Sequence, residues 1–459
     1  MNIIVAGAGK VGSTLAEHLA EEGHSVTIID TQDDVLSRLS DQLDVMCLKG
    51  NCATQSILRE AGVDIADIVI AATNSDEINI LCCHNAHQSG VAYTVARVRS
   101  SEYTADVQNL KSGLGINMII NPELATAEEI SRLLRFPSAS NIDTFSRGRV
   151  EIVGFRLQPS DGLAGRALAT LSSRIRGLPI LFCAVGRGGD AYIPNGSFVF
   201  APEDKVYVVG TPAGIHQLFR QLGRDQHKVR SVFIIGGGRI SFYLLGILDR
   251  LGLSCKVVER KEDRCRQLSD AYPRSLVIYG DGTDPDLLSE ERMDASDAFV
   301  ALTDRDEDNL IISLYAHQSG VSKVIAKSSR QNYSRIARSA GLESVVSPKL
   351  TTVSQILKAV RGIQNSKGSV MNALYKIAEG HAEAMEFVVG PSTRHCNTPL
   401  RELRLKAGVL LAVIVRDGRV IIPEGSSCLQ NGDTVIVVAR DSGITDLNDI
   451  YADPFTQEG

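Results

Sequence analysis

Hydrophobic and polar positions follow two different patterns along this chain. Up to about residue 120, short apolar runs typical of strands are separated by longer segments whose apolar residues recur at helical spacing. The apolar runs are IIVAG, VTIID, VMCLKG, IVIAAT, YTVARV and MIINP, and GSTLAEHLAEEG is one of the helical segments. Strands that alternate with helices in this way are typical of a parallel, doubly wound α/β sheet.

The pattern changes beyond this region. The stretch ELATAEEISRLLRF predicts a helix that ends at Phe136-Pro137-Ser138. After it come the β-rich runs RVEIVGFRL, LPILFCAV and DKVYVVGT, with a turn at GRGGD. We therefore expect a Rossmann-like domain, a crossover helix, and then a small α+β domain that is rich in strands.

The whole arrangement then repeats. The string AHQSGV occurs at 86–91 and at 316–321, and NIIVAGAGKVG at 2–12 aligns with SVFIIGGGRIS at 231–241. TTVSQILKAVRG is the second crossover helix, and IPNGSFVFAPEDKVYVV corresponds to IPEGSSCLQNGDTVIVV. Self-similarity of this extent indicates a tandem duplication. We predict Rossmann-like domains with crossover helices at 1–138 and 229–366, and small domains at 139–228 and 367–459.

Composition and charge narrow the classes of function. The chain has 48 Lys and Arg against 54 Asp and Glu, a formal net charge of −6, which argues against nucleic acid as a partner. No apolar run approaches the roughly 18 residues of a spanning helix, and the first residues do not resemble a signal peptide. Nine cysteines without a C-x-x-C motif are typical of reduced thiols in a cytosolic protein. No metal-ligand spacing or nucleophile motif is present, so we expect neither a metal site nor catalysis.

The stretch GAGKVG follows the first predicted strand and opens a helix. Gly7 permits the tight turn, Gly9 lets backbone N–H groups approach a pyrophosphate, and Gly12 lets the helix pack closely on the strand. Asp30 ends the next predicted strand, where a carboxylate accepts hydrogen bonds from ribose hydroxyls. The same carboxylate would repel the 2′-phosphate of NADP, which favours NAD(H) or an adenosine nucleotide.

The second half presents GGGRIS and Glu259 at the same places. Ser241 replaces the third glycine, and we expect a modest distortion of the turn there. Arg239 stands where a phosphate contact could be added. The alternative is that both turns serve only to connect strand and helix and bind no nucleotide.

Other polar residues end predicted strands, and ligands bind at the carboxyl ends of strands in open α/β sheets. They are Gly50-Asn51, Thr73-Asn74 and Arg97 in the first half, and Gly280-Asp281, Thr303-Asp304 and Lys327 in the second. Two alternatives stand beside ligand contact. Asn74 and Asp304 could cap the following helices, and the two basic residues could form surface salt bridges. AHQSGV itself we interpret as a helix C-terminus, with Gly90 and Gly320 just beyond the helix.

Taken together, these motifs resemble the RCK/KTN family. The resemblance is carried by GAGKVG with Asp30, by Gly50-Asn51, by T-[ND]-x-D-E-x-N at 73–79 and 303–309, and by IP-x-G and D-x-V-x-V-V in the small domains. It covers essentially the whole chain, as two complete modules in tandem. Cys52 and Gly282 depart from the small Ala often found after the Gly-Asp pair, as Ser241 departs from Gly.

The resemblance implies a regulatory protein on the cytoplasmic face of the inner membrane. It implies that NAD(H) or ATP/ADP binds the N-terminal domain of each module, and that a homo-oligomeric ring, dimeric or tetrameric, gates an integral-membrane potassium transporter of the TrkH/TrkG type. The ligand-binding residues that it implies are Gly7, Ala8, Gly9, Lys10, Val11, Asp30, Asn51, Cys52, Thr73, Asn74 and Arg97, and in the second module Gly236, Gly237, Gly238, Arg239, Ile240, Glu259, Asp281, Thr303, Asp304 and Lys327.

Two other functions remain open from the residues. A dehydrogenase would need a general acid or base placed against the nicotinamide. The small domains offer no His at equivalent positions, since neither His216 nor His381 nor His395 has a counterpart. The second alternative is the cytosolic gate of another cation channel or antiporter.

Overall fold

The computed structural model describes residues 1–100, 113–136, 139–171, 177–224, 229–342, 344–364, 371–440 and 443–452, with the single positions 103, 111 and 175. The predicted domain limits at 138, 228, 366 and 459 lie outside the described residues, as does the predicted helix stop at Pro137-Ser138. In the part of the chain that is described, no helix is long and apolar enough to cross a membrane.

The first Rossmann-like domain is a six-stranded parallel sheet in the order β3-β2-β1-β4-β5-β6. The central strands β1 and β4 are buried on both faces, as their continuous apolar runs predict. The elements are β1 (Asn2–Ala6), α1 (Lys10–Glu21), β2 (Ser25–Asp30), α2 (Asp33–Gln42), β3 (Met46–Lys49), α3 (Gln55–Glu60), β4 (Ile68–Ala71), α4 (Asp76–Gln88), β5 (Tyr93–Arg97), β6 (Met118–Ile120) and the crossover helix α5 (Pro122–Arg135). Strand order reverses between β1 and β4, which is where ligands bind in such sheets.

The first small domain is a five-stranded sheet in the order β10-β9-β11-β8-β7, and its paired strands are antiparallel. Its elements are β7 (Asn141–Phe145), β8 (Val150–Arg156), β9 (Ile180–Arg187), β10 (Asp190–Tyr192), β11 (Lys205–Gly210) and α6 (Pro212–Gln221). The two edge strands β7 and β10 are short and were not predicted. The aspartate of the D-x-V-x-V-V motif is structural, because buried Asp204 accepts hydrogen bonds from Arg187 Nε and Nη2, each at 2.7 Å.

The second module repeats both domains. Its parallel sheet has the order β14-β13-β12-β15-β16-β17, and its antiparallel sheet has the order β18-β19-β22-β20-β21. The elements are β12 (Ser231–Ile235), α7 (Arg239–Arg250), β13 (Ser254–Glu259), α8 (Glu262–Ala271), β14 (Leu276–Tyr279), α9 (Pro285–Glu290), β15 (Ala298–Ala301), α10 (Asp306–Gln318), β16 (Lys323–Lys327), α11 (Gln331–Ser339), β17 (Ser344–Val346), α12 (Pro348–Gln364), β18 (Met371–Ile377), β19 (Ala382–Val388), β20 (Val409–Arg416), β21 (Arg419–Ile421) and β22 (Thr434–Ala439). The predicted duplication and α/β fold class are confirmed.

The repeated AHQSGV string ends a helix in both modules. Helices α4 and α10 end at Gln88 and Gln318, and the glycines two residues later have left-handed backbone angles, with φ of +94° at Gly90 and +89° at Gly320. This is the expected helix stop.

The two modules interlock through their crossover helices. Helix α5 packs against α7 of the second module, and α12 packs against α1 of the first. Val353, Ile356, Leu357 and Val360 of α12 share a buried cluster with Leu15 of α1. The two small-domain sheets also share one apolar core. A displacement of one module must therefore change the packing of the other, because packed cores do not deform continuously.

Candidate functional site

The two glycine-rich turns have the same backbone conformation. Gly7 and Gly236 adopt φ of +102° and +94°. A Cβ added at Gly7 would lie 2.9 Å from the backbone nitrogen of Thr73, and one at Gly236 would lie 2.9 Å from the carbonyl oxygen of Leu302. Both the left-handed conformation and the close approach of the next strand end require glycine here.

The third position of the motif differs between the modules, while the angles of the capping glycines stay the same. A Cβ at Gly12 would lie 1.8 Å from the carbonyl oxygen of Gly7. In the second module the buried Ser241 occupies this place, and its hydroxyl donates to the carbonyl oxygen of Gly236. The helix-capping residues Gly9 (φ −68°, ψ −173°) and Gly238 (φ −68°, ψ −170°) nevertheless have matching angles. The distortion expected from Ser241 is absent from them.

A carboxylate at the end of the second strand holds each turn. Asp30 accepts hydrogen bonds from the backbone nitrogens of Ala8 at 2.6 Å and Gln32 at 3.0 Å, one on each oxygen. Glu259 accepts equivalent bonds from Gly237 at 2.6 Å and Lys261 at 2.8 Å. Each carboxylate oxygen has a second lone pair, so these acids can fix the turn and still accept from a ribose hydroxyl.

A buried asparagine, which the sequence reasoning did not single out, organises the strand ends in each module. Asn79 Oδ1 accepts from Thr73 N at 2.8 Å and from Thr73 Oγ1 at 2.7 Å, while its Nδ2 donates to the carbonyl oxygens of Thr73 and Arg97 at 3.2 and 2.8 Å. Asn309 repeats the same bonds with Thr303 and Lys327. The last residue of T-[ND]-x-D-E-x-N was the signal available for this role.

The capping role considered for Asn74 and Asp304 is wrong. Ser75 is the N-cap of α4 and accepts from Ile78 N at 3.2 Å. Helix α10 begins after Arg305 and has no side-chain cap bond. Asn74 and Asp304 lie one residue earlier, exposed, where they line the clefts described next.

The first cleft opens at the carboxyl ends of β1, β2 and β4 and has a volume of about 480 Å³. Eight of the predicted residues line it: Gly7, Ala8, Gly9, Asp30, Asn51, Cys52, Thr73 and Asn74. Lining residues that were not predicted include Thr31, Gln32, Val35, Ser75 and Ile78. Asp30 is the charged residue of this lining. The other polar groups of the cleft are uncharged side chains and backbone groups.

The second cleft is smaller, about 150 Å³, and strongly charged. Its predicted lining residues are Gly236, Gly238, Glu259, Asp281, Thr303 and Asp304, and those not predicted include Arg260, Lys261, Arg264, Arg305 and Asp308. Arg264 Nε donates to the carbonyl oxygen of Gly237 at 2.9 Å and so ties α8 to the turn. Val35 occupies the equivalent place in the first cleft.

Seven predicted residues line neither cleft: Lys10, Val11, Arg97, Gly237, Arg239, Ile240 and Lys327. The side chains of Val11 and Ile240 are buried in the apolar core of their domains. Gly237 lies in the second turn, where its backbone nitrogen bonds to Glu259.

The four basic residues of this group lie where the two Rossmann-like domains meet. Burial lowers the pKa of Arg97, and Arg99 and Arg239 add to the effect. Burial also lowers the pKa of Lys327, where repulsion from Lys10 opposes the attraction of nearby acids. Within the described part of the chain, neither Arg97 nor Lys327 forms a salt bridge, and Arg97 Nε has no hydrogen-bond partner. The described residues therefore provide neither side chain with the surface salt bridge considered for it.

Two Rossmann-like domains, each with a nucleotide-type turn and each followed by a small β-rich domain, define a protein built of tandem RCK-type modules. The TrkA-N domain family matches residues 3–122 and 232–348, and the TrkA-C domain family matches residues 152–223 and 384–451. The chain therefore belongs to the TrkA family of Trk system potassium uptake proteins.

Individual relatives agree with this assignment over nearly their full length. The chain is 32% identical over 463 residues to a Trk system potassium uptake protein TrkA homolog of Methanosarcina mazei, covering 98% of this chain and 100% of that one. It is 31% identical to TrkA of Haemophilus influenzae, with 96% of both chains covered. Among solved structures, the GsuK channel matches with a TM-score of 0.64 at 19% identity, over 95% of this chain and 76% of that one, which establishes the shared fold. The GsuK channel bound to NAD matches with a TM-score of 0.61 over the same shares of the two chains.

Proposed function

We propose that this chain is the nucleotide-sensing regulatory subunit of a potassium uptake system, and that it binds NAD(H), ATP or ADP to gate an integral-membrane transporter of the TrkH/TrkG type. The observation that carries the proposal is the first cleft, where a glycine-rich turn, a helix N-terminus and Asp30 converge on a volume of about 480 Å³. The names of the relatives supply the potassium uptake system, and the NAD-bound GsuK channel shares the fold.

The arrangement of the first cleft favours particular parts of a nucleotide. Backbone N–H groups at the N-terminus of α1 suit a pyrophosphate. Asp30 suits the ribose hydroxyls and disfavours a 2′-phosphate. The apolar side chains of Val35 and Ile78 suit the adenine ring. NADH, ATP and ADP are therefore the expected ligands, and NADPH is expected to bind poorly.

The charges between the modules offer a way for bound nucleotide to change the structure. Lys10 and Arg239, which open α1 and α7, face Lys327 and Arg97 of the opposite module. Phosphate at either turn would reduce this like-charge repulsion and favour a closer arrangement of the modules. A ligand shifts such an equilibrium only when it binds the two arrangements with different affinity.

The remaining features of the proposal concern organisation and partners. The four domains divide near 138, 228 and 366, and the chain assembles as a homo-oligomeric ring on the cytoplasmic face of the membrane. We assign it no catalytic role, and the lining of the first cleft includes no His or Lys that could serve a hydride-transfer reaction.

The proposal is tested by measuring potassium flux through the reconstituted transporter with this chain bound. NADH or ATP should change the flux severalfold, and Asp30→Ala should abolish the change. Asp34→Ala is the matched control, because Asp34 is an exposed acid on the neighbouring helix that does not line the cleft. A flux that is the same with and without each nucleotide would refute the regulatory role.

A further inference from the structure

Two cysteines from separate elements meet at the floor of the first cleft. Cys52 follows β3 and lines the cleft although only 5% of its surface is exposed, and Cys82 lies fully buried on α4 behind it. Both residues belong to one buried apolar cluster. Asn85, one turn along α4 from Cys82, donates to the carbonyl oxygen of Ala53 beside Cys52 at 2.9 Å, so the loop that carries Cys52 lies against the part of α4 that carries Cys82. The family resemblance placed Cys52 at the ligand and gave no reason to pair it with Cys82.

The two thiols differ in reactivity. Interaction with the Cys82 thiol lowers the pKa of Cys52, although burial opposes the effect, and interaction with Cys52 together with burial raises the pKa of Cys82. The thiolate is the form that reacts with oxidants. Cys52 is therefore the reactive sulfur on the side of the cleft, and Cys82 is placed behind it as a second sulfur that can attack an oxidised Cys52.

We propose that Cys52 and Cys82 form a reversible disulfide under peroxide, which makes the first cleft, and not the second, a redox-sensitive site. The second module has Gly282 and Ile312 at these positions, so it contains no such pair. The neighbouring thiol of Cys83 points elsewhere and donates to the carbonyl oxygen of Val95 at 3.3 Å.

The chemistry balances with hydrogen peroxide as the oxidant. The Cys52 thiolate attacks one peroxide oxygen, the O–O bond breaks, and hydroxide leaves and takes up a proton to become water. The Cys82 sulfur then attacks the sulfenic sulfur of Cys52, the S–O bond breaks, and a second water leaves with the thiol proton. Two thiols are oxidised to one disulfide and one peroxide is reduced to two waters. A cellular thiol reductant reverses the reaction.

The disulfide would act on nucleotide binding through the loop after β3. Asn51 lines the cleft beside Cys52, and Asn85 Nδ2 of α4 holds the loop by donating to the carbonyl oxygen of Ala53 at 2.9 Å. Drawing Cys52 onto Cys82 shifts Asn51 away from the cleft, so oxidation should weaken nucleotide binding there. In the other direction, a bound nucleotide covers Cys52 and should slow its oxidation. This consequence rests on the proposed nucleotide binding, whereas disulfide formation itself does not.

The first test uses the full-length protein without nucleotide. The protein is treated with a small excess of hydrogen peroxide, alkylated and digested with trypsin, which places Cys52 on the peptide 50–59 and Cys82 with Cys83 on the peptide 60–97. We expect these peptides joined, with a mass lower by two hydrogens, and separated again by reductant. Cys83→Ser should retain the crosslink and Cys82→Ser should lose it. Alkylation of both thiols after peroxide, or a crosslink that persists in Cys82→Ser, would overturn the proposal.

The second test separates this proposal from the proposed function. NADH binding is first measured under reducing conditions in Glu259→Ala, a variant in which only the first cleft is expected to bind NADH. Crosslinking is then timed with NADH at about ten times its Kd, where occupancy should slow the reaction about tenfold. A crosslink that forms at an unchanged rate despite measured NADH binding would show that Cys52 is not covered by the ligand and would overturn the coupling. Absence of NADH binding in the reduced protein would count against the proposed function and leave the disulfide standing.

Discussion

The first cleft has a volume of about 480 Å³ and carries one charged side chain, whereas its counterpart in the second module has a volume of about 150 Å³ and is crowded with acids and bases. The glycines of the two turns have matching backbone angles. Both turns share their glycine conformation, their carboxylate bonds and their buried asparagine.

This comparison separates what the fold needs from what the ligand needs. The bonds that repeat in both modules hold the strand ends in place. Other residues differ between the clefts, such as Val35 against Arg264 and Cys52 against Gly282. These differences determine how easily a nucleotide enters each cleft and which reactive groups line it. After duplication the architecture was kept while the two binding surfaces diverged, so the first cleft is expected to be the stronger nucleotide site.

The largest effect is expected where the modules differ at the third motif position. Gly12→Ser places a Cβ on the carbonyl oxygen of Gly7, and relieving that contact should lower the free energy of unfolding by about 3 kcal/mol. The reverse change, Ser241→Gly, removes one hydrogen bond and should cost only about 1 kcal/mol. Urea unfolding followed by circular dichroism measures both. Equal losses in the two variants would mean that the turns are not shaped as described.

The next effect should be equal in the two modules. Asn79→Ala and Asn309→Ala each remove a fully buried amide whose partners are backbone groups and a threonine, and each should lower the free energy of unfolding by about 2 kcal/mol. Thermal unfolding of the variants provides the measurement. Asn74→Ala and Asp304→Ala are the exposed controls from the same loops and should leave the melting temperature unchanged. A large loss of stability in only one of the two asparagine variants would contradict the proposal that the strand ends of the two modules are held in the same way.

Exchanging Val35 of α2 and the corresponding Arg264 of α8 should change the NADH affinities of the two clefts in opposite directions. Val35→Arg should weaken NADH binding at the first cleft about fivefold, and Arg264→Val should strengthen it at the second by a similar factor, about 1 kcal/mol each. Fluorescence titration in Glu259→Ala and Asp30→Ala backgrounds isolates each cleft. Ser37→Arg adds the same charge on α2 at an exposed position that does not line the first cleft, and it should have no effect.

The smallest effect concerns the small domains and pH. By register, the position of Asp143 in β7 corresponds to Tyr375 in β18. Each pairs with the residue that directly follows a glutamate of the neighbouring strand, Ile152 after Glu151 in β8 and Ala384 after Glu383 in β19. Burial raises the pKa of Asp143 to about 7, with Glu129 adding to the effect while Asn141, Arg132 and Lys358 oppose it.

The folded protein therefore holds a proton on Asp143 that the unfolded chain releases at lower pH. The resulting stability is complete below the ordinary pKa of aspartate and is lost as the pH rises through about 7. Asp143→Asn should flatten the pH dependence of the melting temperature in this window. The neighbouring Tyr375 stays neutral there and does not contribute, because burial raises its own pKa. An unchanged pH profile in Asp143→Asn would place the titration elsewhere.

Local patterns were enough to predict much of the fold and part of the site. The apolar runs predicted the parallel strands, and GAGKVG with Asp30 predicted the turn and its carboxylate. Asn51 after β3, and Thr73 and Asn74 after β4, were placed at the cleft because strand ends of a parallel sheet meet at one edge.

What the sequence did not reveal depends on contacts between distant elements. Nothing local indicates that Arg264 reaches back to the turn at Gly237, or that Cys82 meets Cys52. Nothing local indicates that Arg97 lies near Arg239, or Lys327 near Lys10, of the opposite module. The short edge strands β7 and β10 carry too few alternating residues to be recognised by periodicity.

The central claim, that the first cleft is the principal nucleotide site, is tested most directly by calorimetric titration of the reduced protein with NADH. The account predicts that Asp30→Ala removes the dominant binding heat, while Glu259→Ala leaves it within about twofold of the wild-type affinity. Binding by Asp30→Ala that matches the wild-type protein, with loss only in Glu259→Ala, would contradict it.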